Sequence, residues 1–313
     1  MHEIVEPVRQ FFPVSIVIAT LGGPSLRGTI ERLNESAGGA PAEILICIPE
    51  DEAPAVESLA EISNVHVIKT ECRGQVAQRA VGLGLAQQSH VMQLDDDVLL
   101  PPNALGDLLD ALRAKGPNHI VAPFFRDQLF GRDTTIQRQD VKGFFQSCYA
   151  SIVCGAPFGL NRFGKISPAG IAYGVVALES RERVVETDWL PGGAVLAFQS
   201  DLILGNYFPF SGKAFSEDLI HSVLWRQMGK RFWTVLNVYV LVDVTSESFA
   251  WTSLVARFRA HQYVARMIGG RAWRTTLWFA CFVAINARRI LAVNFLNPSF
   301  FDARKSADRK GLA

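Results

Sequence analysis

The hydrophobic positions along the chain alternate between two periods. Val14 to Thr20, Glu43 to Ile48 and Val65 to Thr70 are short apolar runs bounded by Gly, Pro or acidic residues, the pattern of buried strands. Between the first two, Leu26, Ile30 and Leu33 recur at helical spacing behind Ser25, which predicts a capped helix to about Ser36. A short helix is expected around Val56 to Ile62 and a longer one over Gly74 to Gln87. A fourth strand then rises through the apolar run that ends at Leu94, and a helix follows from about Asn103 to Ala114. Strands and helices alternating at this spacing predict an α/β fold with a mostly parallel sheet flanked by crossover helices. Ligands in such sheets gather beyond the carboxyl ends of the strands, so Thr20, Glu50 and Asp95 to Asp97 are expected along one rim.

The second half is less regular. Ile120 to Phe125 reads as a strand, whereas Arg126 to Asp188 mixes an apolar aromatic piece, Phe144 to Phe158, with a Gly/Pro-rich piece, Phe158 to Gly174. That segment is either a variable functional insertion or a core helix with a hairpin. Asp188 to Phe198 (DWLPGGAVLAF) reads as a tight turn entering a buried strand, in which Gly192 and Gly193 let backbone approach a ligand and Trp189 offers a face for stacking. Ser216 is placed to cap an amphipathic helix whose first turn carries Glu217 and Asp218. Phe232 to Val244 is a final strand, and Leu254, Phe258, His261, Ala265 and Ile268 recur at helical spacing. The expected organisation is a domain over 1–247, with 126–188 as its insertion, and a helical extension over 248–313.

The feature with most chemical content is the run Asp95, Asp96 and Asp97 at the end of the fourth strand. Three adjacent carboxylates repel one another and resist desolvation unless something positive sits among them, and a divalent cation is the simplest candidate. An acidic turn ahead of the next helix is the alternative. Hydride transfer and P-loop chemistry lose ground: TLGGPSLRG after the first strand is not GxGxxG, and Gly212-Lys213 lacks the spacing of a phosphate loop.

These pieces together resemble a family 2 glycosyltransferase of the GT-A fold. The strand ending in Thr20, the stretch Gln78-Arg79-Ala80-Val81-Gly82, which is similar to the family's ARNxG helix, and Leu94-Asp95-Asp96-Asp97, which is similar to its LDxD strand end, occur in the family's order. DWLPGGAVLAF resembles the segment beneath the transferred sugar, and Glu217-Asp218, with Arg226 and Gly229 downstream, looks like the ED motif. The resemblance implies an inverting enzyme that moves a sugar from a nucleotide-diphospho-sugar, a UDP-sugar by preference, with Asp218 as general base. It implies a Mg²⁺ or Mn²⁺ ion held by Asp97 with help from Asp95, and Asp243 standing where many relatives carry a metal-binding His. Thr20, Glu50, Arg79, Asp95 and Asp96 fall at the nucleotide end, and Trp189, Gly192, Gly193 and Glu217 at the sugar and acceptor end, which makes 126–188 an acceptor-side insertion. Gln262 and Arg266 are separated by three residues and Met267 follows, a departure from the QxxRW motif of processive members that argues against a polymer synthase.

Charge and cysteine content refine the setting. The net charge of +1 hides a segregation, because Ser248 to Phe301 carries seven arginines (257, 259, 266, 271, 274, 288 and 289) and no Asp, Glu or Lys. Such a cationic, aromatic-rich stretch points to an anionic surface. Leu277 to Leu296 has the length of a membrane span, but Arg288 and Arg289 within it favour a helix lying in the interface of an anionic membrane. The competing expectation is a helix packed on the catalytic domain. Five scattered cysteines without ligand spacing read as reduced thiols, and the N-terminus lacks the pattern of an export signal. The expected setting is cytoplasmic, peripheral on the inner face of the plasma membrane, with a glycan or glycolipid acceptor and no nucleic acid. The alternatives are a non-catalytic membrane-associated scaffold on the same fold, and a nucleotidyltransferase.

Overall fold

The computed structural model describes residues 11–127, 141–174, 182–202, 205–210, 213–242 and 249–296. The chain divides into two compact units. The first comprises Met1–Gln137, Phe163–Lys165 and Gly174–Asp243, and the second Arg138–Arg162, Ile166–Tyr173 and Val244–Ala313. The segment read as a single insertion is therefore shared between them.

The first unit is built on one eight-stranded sheet. Its strands are β1 (Phe11–Ala19), β2 (Ala40–Pro49), β3 (Val65–Thr70), β4 (His90–Leu94), β5 (His119–Asp127), β6 (Val184–Thr187), β7 (Ala194–Phe198) and β8 (Arg231–Val242), in the order β3-β2-β1-β4-β7-β5-β8-β6. The pairs β1–β2, β2–β3, β1–β4 and β5–β8 are parallel; β7 runs antiparallel between β4 and β5, and β6 antiparallel on β8. The sheet is thus mixed and mostly parallel. β6 lies within the stretch whose sequence mixes its signals, and only pairing with Phe232 to Val235 makes it a strand.

Alternation along β1 sets the two faces. Ile16 and Ile18 join Ile44, Ile46, Met92 and Leu94 under α1 (Leu26–Asn34) and α3 (Ala104–Lys115). Val17 joins Leu45, Cys47 and Val91 on the other face, with Leu83 of α2 (Gln75–Leu85) and Trp225 of α6 (Glu217–Gln227). Strands covered on both faces must be apolar throughout, hence their β-branched runs. The segment Glu50–Glu61, expected to hold a short α-helix, forms a 3-10 helix with Pro54 inside it.

Gly82 marks the tightest helix–sheet contact. A Cβ there would lie 2.5 Å from both Cys47 Sγ and Val17 Cγ1. Burial pushes the Cys47 thiol up to about 12, so it packs as an apolar group. Gly82→Ala is expected to destabilise the protein by about 1–3 kcal/mol through overpacking, read as a lower urea midpoint with an unchanged m-value.

The second unit contains α4 (Val141–Tyr149), a π turn over Ala150–Cys154, α7 (Trp251–Met267) and α8 (Ala272–Leu291), which a further π turn extends over Ala292–Leu296. Its core gathers Val153, Cys154 and Ala169 with Tyr149, Ile171, Tyr173 and Trp278. Gly170, at φ +71°, lies so close to α7 that a Cβ would meet the His261 carbonyl at 2.2 Å. That carbonyl belongs to the residue whose ring Nδ1 is 2.9 Å from the Gly170 oxygen. Thr275 Oγ1 donates to the Ala169 carbonyl at 2.8 Å. The Gly/Pro-rich stretch is thus a turn moulded to a helix surface.

Candidate active site

Parallel strands β1, β2 and β4 end on one rim, and β7 begins there because it runs the other way. The rim therefore collects residues from distant parts of the sequence. Thr20 follows β1, Asp95 to Asp97 follow β4, and Gly192 and Gly193 precede β7. The Asp95 N–H donates to the Gly193 carbonyl at 2.8 Å. A Cβ on Gly193 would sit 2.9 Å from Asp95 Oδ2, and one on Gly192 2.8 Å from Glu217 Oε1 and 3.4 Å from Asp218 Cβ. The paired glycines are what lets the β4 carboxylates and the head of α6 approach the same turn.

Arg79 joins the two sides. It is 2% exposed on α2, and its guanidinium donates through Nη1 to Glu217 Oε1 at 2.6 Å and through Nη2 to Asp95 Oδ1. Burial alone would lower its pKa, but Glu217 and then Asp95 outweigh that and raise it, so the guanidinium stays charged. Gln75 Nε2 adds a second donor to Asp95 Oδ1 at 2.9 Å, and Tyr207 OH donates to Glu217 Oε2 at 2.8 Å. Both Glu217 oxygens are thereby engaged. Gln78, one residue before Arg79, donates to the carbonyls of Thr20 at 2.9 Å and Cys47 at 2.8 Å, tying α2 to the ends of β1 and β2.

The other two aspartates differ from Asp95 in their surroundings. Asp96 accepts from the Thr20 hydroxyl, and its carbonyl accepts from Thr29 Oγ1 at 2.9 Å. Asp97 is exposed. Its carboxyl is raised, first by the desolvation of its position and then by Asp95 and Asp96. No group of three or more His, Cys, Asp or Glu side chains among the described residues is arranged to hold a metal ion. The donors that fit one are oxygens: the Asp97 carboxylate and the Asp95 oxygen that Arg79 does not occupy. One or two carboxylates completed by phosphate oxygens and water is the usual setting of Mg²⁺ or Mn²⁺ beside a nucleotide.

Asp218 stands in the first turn of α6, partly exposed, with Oδ1 accepting from the Leu219 N–H at 2.9 Å. Its pKa is raised to about 7, first by burial, then by Glu217 and more weakly by Asp95. A carboxyl poised there can take a proton near neutral pH and remains within reach of a ligand. Behind it, His221 is buried with its ring stacked on Tyr207 at 4.7 Å, and burial holds it well below the usual histidine range, so it is neutral. The helix starts without the cap that the sequence suggests. Ser216 makes no side-chain cap bond and adopts φ 54°, ψ 29°, and Ser25 and Asn103 at the heads of α1 and α3 also lack cap bonds. A left-handed serine immediately before the Glu217-Asp218 pair is strained backbone, costing about 1–2 kcal/mol.

The structure thus brings together Thr20, Arg79, Asp95, Asp96, Gly192, Gly193, Glu217 and Asp218. Glu50 is exposed at the first position of the 3-10 helix, and no described hydrogen bond or ion pair joins it to that network. Trp189 is half-buried and holds the Thr187 hydroxyl through its carbonyl at 2.9 Å. Asp243 lies outside the described residues. Tyr207 and Gln75 are contacts that the sequence reading lacks. A cavity of about 200 Å³ opens beside them, lined by Arg73, Gln75, Asn206, Phe208 and Phe210 among others.

This arrangement, a mixed sheet whose rim carries an Asp cluster and a buried Arg–Glu pair beside a partly exposed aspartate, is built on a GT-A-like fold. Residues 15–163 match the model of glycosyl transferase family 2. A crystal structure of GalNAc-T7 with UDP, GalNAc and Mn²⁺ is similar to it at a TM-score of 0.53 and 15% identity. The alignment covers 82% of this chain and 48% of that one, so the chain spans about half the length of this neighbour. No curated protein matches the sequence.

Proposed function

We propose that the protein transfers a sugar from a nucleotide-diphospho-sugar, a UDP-sugar, to a hydroxyl of a lipid-linked or cell-surface glycan, by a single displacement with Asp218 as the base. The observation that carries this reading is the position of Asp218 beside the Gly192-Gly193 turn, which it shares with the Asp95 rim; burial and Glu217, by raising its pKa to about 7, suit it to the role. The acceptor oxygen forms its bond to the anomeric carbon as its proton passes to the Asp218 carboxylate. The bond between that carbon and the diphosphate breaks, and the nucleoside diphosphate leaves. Attack opposite the leaving group inverts the anomeric centre.

Thr20, Glu50, Arg79, Asp95 and Asp96 serve the nucleotide end, and Trp189, Gly192 and Gly193 shape the sugar and acceptor end. Glu217, with both oxygens engaged by Arg79 and Tyr207, acts through its neighbours and keeps the donor and base halves in register. Asp97, with Asp95, would hold Mg²⁺ or Mn²⁺, which when bound supplies positive charge for the departing diphosphate. The Mn²⁺ and UDP of the similar GalNAc-T7 structure support this choice. A screen of nucleotide-sugars by nucleotide release, with membrane extract as the acceptor source, tests the reading. Release is expected with a UDP-sugar, to fall at least about a hundredfold in EDTA and to return with Mn²⁺. Metal-independent release, or none with any donor, contradicts it.

The setting we propose is the cytoplasmic face of the plasma membrane. The stretch Ala272–Asn294 has a mean hydropathy of 1.5 and only 6% of its apolar window is buried, so by length and composition it is a candidate span. Arginines at both ends limit it. The 13 residues Thr275 to Ala287 between Arg274 and Arg288 reach about 20 Å as a helix, short of the roughly 30 Å hydrocarbon core. An interfacial helix on an anionic surface fits that length.

A further inference from the structure

We infer that the membrane seat is the whole second unit, including α4 and its π turn from the middle of the chain, and that its partner is an anionic lipid bilayer. This deepens the interfacial reading of the C-terminal helices and rests on it. The first observation is that α4 is turned inside out for a soluble protein. The inward positions of α4 and its π turn are Gly143, Ser147 and Ala150, while Phe144 (57% exposed), Phe145 (65%) and Ile152 (71%) face outward. Phe158, 53% exposed, packs edge-on to Phe144 with ring centroids 5.9 Å apart, which makes the aromatics one surface cluster. Clustered exposed apolar groups of this size mark an interaction site.

The second observation is that this edge belongs structurally to the arginine-rich helices. Arg274 of α8 donates to the Ile152 carbonyl, and to that of Val153 at 3.3 Å. A Cβ on Gly155 would lie 3.1 Å from its Nε, and Trp278 of α8 packs on Val153 and Cys154. The α4 edge is therefore fixed to the same body as Trp273, Leu277, Ile285 and Leu291, which are also exposed.

Charge selects the partner. The described residues of the second unit include Arg162, the six arginines of α7 and α8 and Arg271 between them, and not one carboxylate. A second copy would bring like charge against like charge, and a neutral bilayer would offer the cationic surface no counter-charge. Anionic headgroups match both the charge and the apolar edges. An apolar cavity of about 600 Å³ between Trp251, Val283, Ala287 and Leu291 gives an acyl chain somewhere to lie.

The test is vesicle flotation of the full-length protein with phosphatidylcholine vesicles, with and without 30% phosphatidylglycerol. The wild type is expected to float with the anionic vesicles and to be released by salt. Phe144→Ser/Phe145→Ser is expected to bind about tenfold more weakly at an unchanged melting temperature, since both rings are exposed. Ile152→Asp provides an independent loss should the double variant melt early. Arg288→Gln/Arg289→Gln tests the C-terminal reading alone. If the arginine variant releases the protein while the Phe144/Phe145 and Ile152 variants bind as wild type, the C-terminal helices stand as the seat and the present inference falls. If the wild type ignores anionic vesicles, or forms a dimer that the phenylalanine substitutions dissociate, both fall.

Discussion

Asp218→Asn should lower glycosyl transfer by about 10²–10⁴-fold while leaving nucleotide-sugar binding and the fold in place. The size follows from the role: an amide of the same shape cannot accept the acceptor's proton, yet it still accepts the Leu219 N–H. Donor affinity should hold because the Thr20, Arg79 and Asp95 contacts are unaltered. Stability should respond in a recognisable way. Asp218 has a pKa raised to about 7, so its contribution favours the fold fully below about pH 4 and is lost as the pH rises through about 7. The amide has no such charge to bury, so the variant should gain on the wild type in urea midpoint at pH 8 and keep only a smaller part of that advantage at pH 5. Transfer measured with donor titration, beside urea melts at the two pH values, checks both parts.

Arg79→Met should be the most destabilising single change in the site, by about 3–5 kcal/mol, because it leaves the buried Glu217 and the half-buried Asp95 without their shared cation. Arg79→Lys is expected to rescue little. One ammonium cannot reproduce a fork that reaches Glu217 through Nη1 and Asp95 through Nη2. Adding Glu217→Gln to Arg79→Met should recover part of the stability without recovering transfer, since one uncompensated carboxylate is gone while the link to Asp95 is still broken. Chemical denaturation of the single and double variants gives the coupling directly.

Much of the rim was legible because strand ends carry their own signals. Apolar runs closing on Thr20 and Asp95, and a helix that opens with an acidic pair, place most of the candidate residues without any contact information. The glycines were legible as close-approach points, although which groups approached was not. The rest depended on pairing across the chain. Arg79 and Glu217 are 138 positions apart, and nothing in the period of either helix announces that bond. Tyr207 sits in an aromatic loop whose composition reads as packing, yet its hydroxyl fixes the second oxygen of Glu217. Ser216 shows the opposite failure: a good capping residue by composition, held instead in a left-handed conformation by the chain around it. The segment 126–188 resisted assignment because its pieces serve two bodies. Val184–Thr187 completes the sheet edge, whereas Ile166–Tyr173 folds against α7.

If the Asp218 carboxyl, with its pKa near 7, takes the proton in glycosyl transfer, the pH dependence of kcat/KM carries its signature. With Asp218 raised by burial and by Glu217, kcat/KM of the wild type should rise about tenfold for each unit by which the pH climbs towards about 7 and level off above it. The residual rate of Asp218→Asn should lack that limb. A wild-type profile flat from pH 5 to 9, or a variant that keeps the same limb and the same rate, would contradict the account.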